Sequence, residues 1–167
     1  MKTAAIPHGA PVRRLLLGAR SVLVPPGWRQ ASASEIVKPT APVSGALVAK
    51  AVVSREHASI AWASRPAIGD AKTEAELVAR TLVAEVPGAR SFASETFRFA
   101  DGALGRRVTI RLAVESERPT IQTHVVRLEG RTCHHLIATV VGREHARCAL
   151  ELELILGSFG GVVARSD

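Results

Sequence analysis

Three histidines stand close together in one stretch of the chain: His124, His134 and His135. Imidazoles carry protons near neutral pH and ligate metals. The runs that hold them, TIQTHVVRL (120–128) and TCHHLIATVV (132–141), read as neighbouring strands, an arrangement that brings His124 towards His134 across the pair. Successive strand residues point to opposite faces, so His134 and His135 cannot converge on one point. A closed zinc site takes four ligands, and these strands supply no carboxylate to complete one. Structural or surface histidines and no bound metal are therefore expected. His57 and His145 each end an Arg-Glu-His triplet and read as loop or helix-start residues.

Other chemistry is equally sparse. Cys133 and Cys148 fall in a strand and a helix, too few for a disulfide framework, and read as reduced, buried thiols. Neither has a His with Asn or Asp beside it in a nucleophile arrangement. Glu151 and Glu153 lie two apart on a helix and so face different ways. Glu115 and Glu117 flank a turn before Pro119. GSFGG (157–161) lacks the lysine and the following helix of a phosphate cradle. No catalytic constellation emerges and no cofactor is implied, so a non-enzyme is expected.

The elements that must position these residues come next. With 167 residues, 47% hydrophobic and 22% charged, the chain suits one domain with a sizeable core. Residues 1–12 read as a flexible segment, 13–160 as the domain and 161–167 as a tail. Strands are expected at 13–17, 21–24, 46–54, 92–99, 106–115, 120–128 and 132–141. In the fifth of these Val108, Ile110, Leu112 and Val114 alternate with Thr109 and Arg111. A first helix is expected from Thr73, with Thr73 and Glu76 as a capping box, Leu77, Val78, Leu82 and Val86 at helical spacing, and Pro87-Gly88 as its stop. A second is expected over 143–156, with Ala146, Leu150, Leu154 and Ile155 on its buried face. The segment ASASEIVKPTAPVSG (31–45) reads as a loop or irregular edge. In SVLVPPGWRQ (21–30) the prolines end a strand, Pro26-Gly27 turns the chain and Trp28 folds back as a core anchor. These segregated elements imply an α+β fold: a largely antiparallel twisted sheet of six or seven strands with two main helices.

Charge and hydropathy narrow the partners. The net charge of +7 comes from 18 arginines and four lysines, scattered in runs of at most two. No aromatic stacking pair accompanies them, so a nucleic-acid partner is not expected. No apolar run approaches the ~20 residues of a membrane span. Pro7, Gly9 and Pro11 break the first residues, which make a poor signal peptide, and a cytoplasmic protein is expected. Several strands are apolar on both faces, although two helices cannot cover both faces of so wide a sheet. Part of the second face must be covered by loops, another subunit or a partner.

Several segments, in order, resemble landmarks of the DcrB-like, PsbP-related fold: LVPPGW (23–28), VVSREH (52–57), the helix-ending PG (87–88), the hairpin IQTHVVRLEGRTCHHLIATV (121–140) and ILGSF (155–159). The resemblance spans roughly residues 13–160 and gives Phe159, with Pro26, Gly27 and Trp28, a structural place. The cytoplasmic branch of that family includes the Eag-type chaperones of type VI secretion effectors. The resemblance implies a small cytoplasmic protein, usually a homodimer. It would hold the apolar, transmembrane-type N-terminal helices of a PAAR- or Rhs-like toxin until loading, without itself entering the membrane. Gln122 and His124, on one face with Val126 and Leu128, become the expected guest-binding residues. Ile36 is the best apolar residue of the groove-lining segment. The sequence departs from the family there: Gln30 stands near the place of an Asp, and ASASEI is smaller and more polar than the usual strand. Alternatives on the same fold are a small-ligand or metal carrier and a general protein-interaction module.

Overall fold

A computed structural model describes residues 11–18, 20–31, 51–92, 94–112 and 119–162 of the chain. It begins with a hairpin of β1 (Arg13–Leu17) and β2 (Arg20–Val24). Gly18, at φ 69°, opens its turn, and a Cβ there would land on the Trp62 ring, so only glycine fits. After Pro25 and Pro26, Gly27 at φ 92° turns the chain, and β3 (Arg29–Ala31) runs into the main sheet. Then follow β4 (Ala51–Arg55), β5 (Ala58–Pro66), helix α1 (Ala71–Glu85), β6 (Arg90–Ser91), β7 (Glu95–Arg98), β8 (Leu104–Leu112), β9 (Thr120–Glu129), β10 (Thr132–Val141), helix α2 (Gly142–Gly157) and β11 (Gly161–Val162).

Among the described residues the main sheet has eight strands, in the order β3-β4-β5-β10-β9-β8-β6, with β7 also paired to β8. A second sheet of three strands has the order β1-β2-β11. Every pairing among the described residues is antiparallel. The α+β class, the antiparallel sheet and the two helices agree with the sequence expectation, although the main sheet is wider than six or seven strands.

The alternation of β9 and β10 splits the core into two layers. On one face Val125, Leu136, Ala138 and Val140 pack with Trp28, Ile60 and Trp62 and with Leu152, Ile155 and Phe159 of the α2 region. On the other, Val108, Ile110, Val126 and Cys133 pack under Val78 and Leu82 of α1. Trp28 is fully buried, and its indole N–H donates to Glu151 Oε2 at 2.7 Å, a carboxylate that also receives Arg55 at 2.6 Å.

Four expectations need correction. The nine residues of β5, ASIAWASRP, are a full strand between β4 and β10, where the sequence reading placed none. Their alanines and serines carry little β-propensity, and burial between two partner strands decides the outcome. Helix α1 is capped by Asp70, whose Oδ1 accepts from the Thr73 N–H at 2.7 Å, not by Thr73. Glu76 accordingly lies a turn further in, 3.9 Å from Lys72. Helix α2 buries Cys148, Leu152, Ile155 and Leu156, while Ala146 and Leu150 are exposed and Leu154 is half-buried. Positions 148, 152 and 155 repeat as regularly as 146, 150 and 154, and the sheet selects the first set. Gly161 and Val162, placed in the tail by the sequence, pair with β2 as β11. The expected strand residues 46–50 and 113–115 lie outside the described residues.

Candidate functional site

The candidate residues gather on the α1-side face of β9 and β10. Cross-strand partners share a face, and the register sets Gln122 opposite Thr139, His124 opposite Ile137, Val126 opposite His135 and Leu128 opposite Cys133. The two histidines that share this face are therefore His124 and His135. His134 pairs with Arg127 and points to the α2 side, so the expected approach of His124 to His134 does not occur. The Gly130-Arg131 turn fixes this register, and a shift of one residue would exchange the two faces. His134 instead accepts from the Trp62 indole N–H at 3.2 Å, lies 5.6 Å centroid to centroid from Phe159, and sits 3.4 Å from Glu129.

Along the α1-side face runs a seam of buried polar groups. Gln122 donates from Nε2 to Thr139 Oγ1 at 3.4 Å, and its Oε1 lies 3.1 Å from His124 Nε2. His124 is 1% exposed, and burial pushes its pKa down to about 4. His135 Nε2 lies 3.2 Å from Cys133 Sγ. Burial, reinforced by the positive charge of Arg65 and by His124, takes His135 down to about 3. Burial and then the charge of Glu74 push the Cys133 thiol up to about 12. Neither His124 Nδ1 nor His135 Nδ1 has a hydrogen-bond partner among the described residues.

The carboxylate that this face of the two strands lacks comes from the helix. Glu74, with no exposed surface, places Oε2 4.0 Å from His135 Nε2. It also accepts the Ile68 N–H at 2.6 Å and an ion pair from Arg65. Sequence reasoning missed Glu74 because it sought partners within the strands. A signal was present: Glu74, Val78 and Leu82 follow i, i+4, i+8 spacing, which puts a carboxylate on the apolar face of α1.

At the other end of the same face, Val52, Ala61 and Ile137 form a small apolar cluster separate from the one under α1, with Ala31 packed against it. Ser59 and Thr139, paired in register, and Gln122 border it, all buried. Of the residues singled out for guest binding, Gln122 and His124 thus come together in the seam at 1% exposure each. Val126 and half-buried Leu128 pack in the cluster under α1, and Ile36 lies outside the described residues. Pro26 is exposed in its turn, while Trp28 and Phe159 belong to the α2-side core. Elsewhere, a cleft of about 220 Å³ between α2 and the sheet is lined by Arg107, Thr109, Thr123, His145 and Glu153. Arg107 is held there by Glu95 at 2.6 Å and by Glu153. Another of about 330 Å³ opens between α1 and the β6 edge, beside Arg80, Val108 and the exposed Phe92. Both thiols, Cys133 and Cys148, are buried.

This arrangement, an antiparallel sheet with one helix on each face and a small sheet beside α2, is the PsbP/Mog1-like α+β fold. The chain is similar to cyanobacterial PsbP (CyanoP) from Synechocystis sp. PCC 6803, with TM-score 0.60 and 15% identity over 91% of this chain and 93% of that one. It is also similar to the Saccharomyces cerevisiae Ran-binding protein Mog1p, with TM-score 0.60 and 12% identity over 92% and 97% of the two chains. A third similar structure is LpqN, involved in cell envelope biogenesis of Mycobacterium tuberculosis, with TM-score 0.52 and 14% identity over 91% and 86%. At these identities the likeness is one of fold. No protein-family model matches the sequence, and no curated protein does either. Among the described residues, no helix is long and apolar enough to cross a membrane.

Proposed function

We propose that this chain is a non-enzymatic binding protein, a chaperone or adaptor that holds the apolar N-terminal helices of a type VI secretion effector of the PAAR- or Rhs-like kind. It acts in the cytoplasm, as a homodimer, and does not bind nucleic acid. The α1-side sheet face carries the proposal. There an apolar patch of Val52, Ala61 and Ile137 adjoins a hydrogen-bonded amide and hydroxyl, Gln122 and Thr139. A transmembrane-type helix outside a bilayer needs its apolar side chains covered and its few polar groups met, because an unmet buried polar group costs several kcal/mol. Val52, Ala61, Ile137, Gln122 and Thr139 are only 1–6% exposed, so a guest would meet these two kinds of group once this face opens. The ordered landmarks from LVPPGW to ILGSF point the same way.

Co-expression with the product of the neighbouring gene tests the proposal. The two proteins should co-purify, and the partner's soluble yield should rise. A partner with apolar N-terminal helices that stays insoluble and uncomplexed in the presence of this chain would contradict the chaperone role. A gel-shift titration at low salt, where a basic protein binds polyanions most strongly, should show no shift with DNA or RNA.

A further inference from the structure

We infer that Glu74, Cys133 and His135 form a buried site for a divalent metal ion of zinc's borderline softness, which staples α1 to β10. The three residues come from two elements far apart in sequence, and their ligand atoms all lie within 4.8 Å of one another. Cys133 Sγ is 3.2 Å from His135 Nε2, and Glu74 Oε2 is 4.0 Å from the same nitrogen. Zinc bonds of about 2.0–2.3 Å set ligand-to-ligand edges of roughly 3.3–3.7 Å in a tetrahedron, so no edge has to close by more than about 1 Å to bring these atoms onto one ion. Sulfur, imidazole and carboxylate together select zinc over the hard cations, which take oxygen ligands.

A further observation supports the site. The Glu74 carboxylate is anchored on both sides, by the Ile68 N–H and by Arg65, which fixes its position before any ion arrives. Binding requires Arg65 to release Oε2 while the Ile68 N–H keeps its contact. The proton of the Cys133 thiol leaves to solvent as the sulfur–metal bond forms. Three protein ligands leave the fourth tetrahedral position to a non-protein ligand.

The test uses the full chain, stripped with a chelator and then titrated with zinc alone against a chromophoric competitor, and in parallel with cobalt. The proposal expects about one equivalent of zinc and, with cobalt, a thiolate-to-metal charge-transfer band. Cys133→Ser should lose the band and weaken zinc binding more than about tenfold, since removing a ligand costs more than removing an outer-shell partner. Cys148→Ser should keep both, because Cys148 lies on α2 against the other face. The wild-type result stands even where Cys133→Ser fails to fold: no stoichiometric zinc, or cobalt bound without the charge-transfer band, overturns the proposal. A band that disappears in Cys148→Ser overturns it as well.

Discussion

The buried imidazole of His124 makes stability depend on pH in a calculable way. Its pKa is about 4 in the folded chain against 6.5 for an ordinary histidine, because burial penalises the charged form. Below pH 6.5 the unfolded chain takes up a proton that the folded chain refuses, so stability falls as the pH falls, and the fall levels off only below about pH 4. With about 1.36 kcal/mol per pKa unit, this one residue removes about 2 kcal/mol between pH 7 and pH 5 and about 3 kcal/mol by pH 4. Above about pH 7.5 it has no effect. His134, His135 and His145 are also lowered by burial and add to the same slope. The carboxylates Asp70, lowered by the Thr73 N–H, and Asp101, lowered by Arg127, act further into acid. The readout is therefore the difference between wild type and His124→Gln, an uncharged side chain that can still reach Gln122. Urea unfolding at pH 7 and pH 5, followed by circular dichroism, should give a loss about 2 kcal/mol smaller in the variant. An equal loss in the two proteins would refute a neutral, buried His124.

The other predictions concern single contacts. Trp28→Phe removes the indole hydrogen bond to Glu151 while leaving Arg55 on that carboxylate, and should cost about 2 kcal/mol, seen as a fall of roughly 4–8 °C in Tm. Glu74→Gln leaves the Arg65 guanidinium without its charge partner beneath α1 and should cost about 3 kcal/mol in urea unfolding. Cys133 and Cys148, 0% and 4% exposed, should resist a thiol reagent in the native chain and both react once it is unfolded in urea.

How legible the sequence is depends on how much of each decision is local. Strands β8, β9 and β10 show in the alternation of Val108, Ile110 and Leu112 and in long β-branched runs, and short turns join β9 to β10. β5 does not show, because Ala58, Ser59, Ala61, Ala63 and Ser64 are chosen for their fit between close strands and not for their propensity. The buried face of α2 is ambiguous because two apolar stripes share one helix and only the sheet chooses between them. The site was half visible. Gln122 and His124 stand out as polar residues in an apolar strand, but the pairing of His124 with His135 depends on register, and Glu74 arrives from a helix about 60 residues away in sequence. Long-range register and docking are set by tertiary packing, which one-dimensional periodicity does not encode.

Placing a guest helix on the α1-side face is the central claim, and a nuclear magnetic resonance titration tests it most directly. The backbone amides of the chain would be followed while a solubilised peptide of the partner's first apolar helix is added. The account predicts saturable shifts centred on Val52, Ala61, Gln122, Ile137 and Thr139, with Gln122→Ala weakening the interaction. Saturable shifts centred instead on the α2 side, around Arg107 and His145, or no shifts at peptide excess, would contradict it.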